Sequence, residues 1–112
     1  MNDRDRGILL KIEKYILDAE NYTAEMDYDS FSNDSKTISA TAFVLGQVGE
    51  LAKEISPDMT AAHPDIPWKG MRGMRNRIVH DYENVDLKIL WETIRDDLPI
   101  LLSQIRALLD ER

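Results

Sequence analysis

The chain has 112 residues, 43% of them apolar and 31% charged, and no cysteine. That predicts one domain spanning 1–112 with a modest core, and excludes a disordered segment, a disulfide scaffold or a thiolate metal site. A formal charge of −7 and a pI of about 4.7 argue against a generic nucleic-acid coat, and no DNA partner is expected. They leave room for a protein that grips a few phosphates at one local patch.

The N-terminal run M-N-D-R-D-R is charged, with no signal-type apolar block after it. The longest apolar runs are far short of a membrane span, so a cytoplasmic protein without a membrane partner is expected. A first helix starts with Asp3 or Asp5 as its N-cap. Its core stripe is Ile8, Leu9, Ile12, Tyr15, Ile16 and Ala19, at spacings of three and four. Asp27 to Ser35 is rich in Asp, Ser and Asn and reads as a connection anchored by Phe31. A second helix is predicted from Lys36 to Ile55, with Ile38, Thr41, Ala42, Leu45, Val48, Gly49, Ala52 and Ile55 on its apolar arc. Its far side carries Ser39, Phe43, Gly46, Gln47 and Glu50. A large aromatic beside a glycine there suggests a second contact surface. A singly exposed Phe is the plain alternative.

Pro57 to Asp65 reads as a connector, and its His63 as an ordinary loop histidine. The next stretch, Ile66 to Tyr82, reads I-P-W-K-G-M-R-G-M-R-N-R-I-V-H-D-Y. Lys69, Arg72, Arg75 and Arg77 lie in it, and no carboxylate falls between Asp65 and Asp81. The island carries +4 of a chain total of −7, so the rest of the molecule sums to −11. As one helix with Pro67 at its first position, the stretch puts Trp68, Met71, Met74, Ile78, Val79 and Tyr82 on one arc. Arg75 projects from that apolar arc, so it must snorkel, pair with a carboxylate or line a cleft. Arg75 and His80 would stand roughly 140° apart, and His80 and Tyr82 roughly 160°. A site using both Arg75 and His80 then needs a groove wrapping the helix or a second subunit.

Asp86 is a suitable N-cap for a further helix with Leu87, Leu90, Trp91, Ile94 and Leu98 on its face. Pro99 should kink or restart that helix. Ile100, Leu101, Ile105, Leu108 and Leu109 form the last stripe. No segment alternates at period two, so the expected fold is all-α, an up-and-down bundle of four to five helices.

The run G-M-R-N-R-I-V-H-D-Y, with I-P-W before it and V-D-L, W-E-T-I and D-L-P after it, resembles the HepT-like toxins of the HEPN superfamily. Arg75, His80 and Tyr82 fill the Arg-x4-His-x-Tyr pattern, and V-G-E at Val48 to Glu50 belongs to the likeness. The resemblance implies a helical bundle that dimerises, with motif helices meeting at the dimer cleft. It implies a metal-independent ribonuclease of a type VII-like toxin–antitoxin module, without cofactor. It also implies a partner, an MntA-like minimal nucleotidyltransferase that neutralises the toxin by moving AMP onto Tyr82.

The side-chain chemistry is compatible with that. Metal-free RNA cleavage needs a group titrating near neutrality, and imidazole is one. Charge growing on the phosphate is met by a guanidinium fork better than by an ammonium. His80 would act as base or acid and Arg75 as phosphate clamp, while Asn76, Arg72 and Arg77 position the RNA backbone. One motif histidine per chain leaves one proton-transfer role empty, which a two-fold dimer would fill. Tyr82 by residue chemistry alone reads as a core tyrosine with a wet hydroxyl. Two other readings stand beside the nuclease. One is a non-catalytic regulatory or substrate-binding subunit of a nucleotidyltransferase, and the other a dimeric helical scaffold.

Overall fold

The computed structural model describes residues 1–79 and 84–111. Its long elements are α1 (Asp3–Tyr22), α3 (Ser35–Ala52) and α8 (Leu98–Asp110). Short helices join them: α2 (Tyr28–Ser32), α4 (Pro57–Ala62), α5 (Trp68–Arg72), α6 (Met74–Ile78) and α7 (Leu87–Glu92). The described residues form no strand, only an isolated antiparallel bridge between Val79 and Val85. The expected all-α bundle is the architecture found.

Each long helix is set by an apolar stripe and an oxygen-bearing cap. Asn2, rather than Asp3 or Asp5, caps α1 by accepting from the Asp5 amide at 2.7 Å. Asp5 is instead buried, and its carboxylate accepts from the Ser56 amide at 3.1 Å and the Ser56 hydroxyl at 2.5 Å. The same hydroxyl accepts from the Met59 amide at 3.3 Å and caps α4. The predicted connector is therefore helical over α4, tied to the start of α1. Asp34 caps α3 through the Thr37 amide, and that helix starts one residue earlier and ends three residues earlier than its pattern predicts.

Ile8, Leu9, Ile12, Ile16 and Ala19 of α1 are buried between α3 and α8. The 27–35 connection folds into α2 through a capping box between Asp27 and Ser30. Its Phe31 is fully buried, with its ring centroid 5.0 Å from that of Trp91. Asp86 caps α7 as predicted, accepting from the Ile89 amide at 3.0 Å.

From Thr93 to Asp97 the helix widens into π geometry before α8 begins, with the Leu98 amide donating to the Thr93 carbonyl. Pro99 follows at once. It has no amide to offer the regular ladder and its ring opposes the carbonyl four residues back, so a wide turn is one relaxed solution. Past it, Leu98, Leu101, Leu102, Ile105, Leu108 and Leu109 face the core. Ile100, expected in that stripe, is 64% exposed. Two residues from both Leu98 and Leu102, Ile100 stands roughly 160° round the helix from each, outside the buried arc.

Candidate active site

The cationic stretch departs from the single helix expected of it. Pro67 is the N-cap of α5, not its first residue, and Gly73 (φ −88°, ψ 0°) both ends α5 and begins α6. No side chain caps either junction, and five-residue helices have little stability of their own. Helix α6 stops at Ile78. Val79 turns extended (φ −109°, ψ 108°), as suits the second of two β-branched residues, and pairs with Val85. The Asp86 amide donates to the Ile78 carbonyl at 2.7 Å and closes the junction. The helix that carries Arg75 thus ends before the rest of the motif. His80 and Tyr82 themselves lie outside the described residues.

Trp68, Met71, Met74 and Ile78 are buried as the pattern predicts, and Val79 is half-buried. This apolar side seats α5 and α6 against α3. The approach is closest at Gly49, where a Cβ would stand 2.9 Å from the Met71 carbonyl oxygen. One turn earlier, Gly46 is buried rather than on a wet far side, because the Arg75 side chain lies across it. A Cβ there would meet Arg75 Cγ and Cδ at 3.8 Å.

Of the choices open to Arg75, the structure takes the cleft with a snorkelling stem. Its methylenes rest on α3, the residue as a whole is exposed, and no described carboxylate stands within ion-pair distance. It lines a groove of about 340 Å³ with Phe43, Gly46, Gln47, Glu50 and Val79. Phe43 is 61% exposed at its rim. Glu50 is held by Lys53 at 3.0 Å. The far side of α3 and the motif segment, separate in sequence, thus share one cavity.

The three supporting residues are not gathered with Arg75. Asn76 and Arg77 are exposed on α6, and Arg72 is half-buried at the end of α5. Arg77 turns to the α8 side, with its guanidinium 4.0 Å from the Asp97 carboxylate. His63 caps α4, far from any such grouping. Its carbonyl accepts from the Trp68 indole at 2.9 Å, and its imidazole stands 3.8 Å from Glu111. Among the described residues, no group of His, Asp and Glu is arranged to hold a metal ion. None of the described helices is long and apolar enough to cross a membrane. Pattern reasoning missed the Arg77–Asp97 side of the site. Asp97, Ile100, Leu101 and Gln104 do recur at helical spacing, but across a proline.

Comparison with known proteins agrees with this geometry. A family model described as Ribonuclease HepT-like matches residues 12–108. The chain is 37% identical over 89 residues to a "Probable ribonuclease HepT" of Thermococcus cleftensis, covering 80% of this chain and 81% of that one. It is also 32% identical over 112 residues to MJ0125 of Methanocaldococcus jannaschii, whose name proposes an RNase, covering 99% and 97% of the two chains. No solved structure matches significantly. A family match across most of the length, on an all-α bundle, leads to one assignment: the chain belongs to the HepT-like ribonuclease family.

Proposed function

We propose that this protein is a metal-independent endoribonuclease, the toxin of a toxin–antitoxin pair, acting as a homodimer through Arg75 and His80. The observation that carries the reading is Arg75. It is an exposed guanidinium whose stem is immobilised on Gly46, at the edge of a groove that also contains Val79, the residue before His80. Holding a charge in the open, where it needs no carboxylate, suits it to meet a phosphate.

In this mechanism the His80 imidazole takes the proton of a ribose 2′-OH. The 2′-oxygen forms its bond to phosphorus as the bond to the 5′-oxygen breaks. Arg75 holds the phosphoryl oxygens as charge gathers on them, with Asn76, Arg72 and Arg77 as outlying contacts along the RNA. The departing 5′-oxygen takes a proton from the His80 of a second copy, brought across a two-fold axis at the Phe43, Gly46 and Glu50 face. The products are a 2′,3′-cyclic phosphate and a 5′-hydroxyl.

Control would come from a minimal nucleotidyltransferase. The Tyr82 hydroxyl oxygen bonds to the α-phosphorus of a nucleoside triphosphate, pyrophosphate leaves, and an adenylate stands on Tyr82. Its negative charge competes with the substrate phosphate for Arg75.

The test is cleavage of single-stranded RNA in EDTA by wild type, Arg75→Ala and His80→Ala. Cutting should vanish in both variants, and growth arrest with it. Cleavage that persists in His80→Ala, in preparations matched for contaminants, ends the reading. For control, Tyr82→Phe should stay toxic and escape neutralisation by the co-expressed transferase. An unmodified Tyr82 by intact-mass and peptide mapping, in a fully neutralised sample, refutes that step.

A further inference from the structure

On the opposite side of α6 from the Arg75 groove lies a second cavity, of about 300 Å³. Two helical walls face each other across it. One carries Gly70, Met71, Met74 and Arg77, and the other Asp97, Ile100, Leu101 and Gln104. The first wall is shared by α5 and α6, and the second by the π turn and α8. The middle of the cavity is apolar and its ends are polar. At one end Arg77 approaches Asp97 to 4.0 Å. At the other, the Gln104 side-chain amide donates to the Asp65 carbonyl at 3.2 Å. A cavity of this volume holds a small group rather than a docked helix or strand. It suits one short, flat, largely apolar group with polar edges, near the small end of ligand-pocket volumes.

We infer that this cavity binds one unpaired base of the RNA, across α6 from the arginine that meets the cleaved phosphate. The inference rests on the nuclease reading above and names a substrate subsite for it. Three observations select a nucleobase. Arg77 lines the cavity, and a guanidinium both stacks on bases and meets phosphate. Ile100 is 64% exposed although an apolar cavity lies beside it, and a base seated on it covers that surface. Asp97 offers acceptors and no donor when ionised. It therefore favours adenine, cytosine and guanine, whose exocyclic amines offer two or more donor hydrogens, over uracil, whose one donor is the ring N3–H. The π-helical turn ending at Asp97 sets this carboxylate one turn before Ile100, on the same wall.

Methionine-methyl NMR of the intact protein tests this independently of turnover, with AMP, CMP, GMP and UMP as probes. The methyls of Met71 and Met74 should move with the three amine-bearing nucleotides and much less with UMP, while those of Met1, Met26 and Met59 stay still. Asp97→Ala should erase the difference between nucleotides. Ile100→Glu should raise the KM for RNA by about fivefold at nearly constant kcat. If Met71 and Met74 ignore every nucleotide, respond equally to all four, or move only with a protein partner, the inference is overturned. Cleavage that persists with silent methyls rejects the subsite alone. Moving methyls in a protein that cuts no RNA reject the nuclease reading and keep the nucleotide site.

Discussion

Gly46 and Gly49 are one helical turn apart on α3 and face the same partner, yet their surroundings differ in kind. At Gly49 an added methyl meets the Met71 carbonyl at 2.9 Å, and backbone cannot swing aside. Gly49→Ala should destabilise the protein by about 1–3 kcal/mol, read as a lower urea midpoint at unchanged slope. At Gly46 the neighbours are Arg75 methylenes at 3.8 Å, an ordinary contact. Gly46→Ala should be neutral or stabilising by up to about 1 kcal/mol, through helix propensity. Equal losses at both sites would refute this packing. Asp5 offers a second contrast. Asp5→Ala strips the Ser56 amide and hydroxyl of their acceptor at a buried position. A loss of about 1–3 kcal/mol should follow, whereas the same change at exposed Asp3 should shift the midpoint little.

At the scale of elements, the long helices were legible because a stripe at spacing three and four survives any local detail. The core faces of α1, α3 and α7 and the Asp86 cap were readable in advance. The motif segment was not. Its apolar arc is continuous from Trp68 to Val79, and a helical wheel cannot show that Gly73 interrupts the rod or that Val79 prefers to pair with Val85. Arg75 was readable as anomalous because a charge fell on an apolar arc. That its stem lies on Gly46 needed tertiary contact. The wide turn before α8 was equally hidden, although Pro99 marked its place. That turn is anchored by Arg95, whose guanidinium donates to the carbonyls of Thr23 at 2.5 Å and Met26 at 2.6 Å and lies 4.3 Å from the Trp91 ring centroid. Arg95→Ala should remove about 1–2 kcal/mol, and Arg95→Lys should restore only part of it. At α2, hydrogen bonds from Ser30, above all from its backbone amide, hold the Asp27 pKa below its ordinary value. The cap's contribution is therefore full above the ordinary aspartate range and is lost as pH falls through the lowered pKa. The Ser30 amide resonance should titrate below that range, and a midpoint at or above it would contradict the capping box.

Over the whole molecule, charge and apolar surface divide the labour. The motif segment is the cationic island of an otherwise acidic chain, and the exposed Phe43 borders the cleft beside it. Phe43→Glu should dissociate the proposed homodimer and abolish RNA cleavage together, measured by sedimentation velocity and EDTA-resistant activity. A fully active monomer would separate the two. The Val79–Val85 bridge has a consequence of another sort. It brings the two ends of segment 80–84 to adjacent points on the bundle. Closing a chain between fixed ends scales only logarithmically with its length, so two extra residues there change the closure entropy by about 0.3 kcal/mol. On that count stability changes little with the length of the segment that bears His80 and Tyr82, whereas the proposed catalysis needs His80 at one distance from Arg75. A two-residue insertion should leave the melting temperature in place and silence the enzyme.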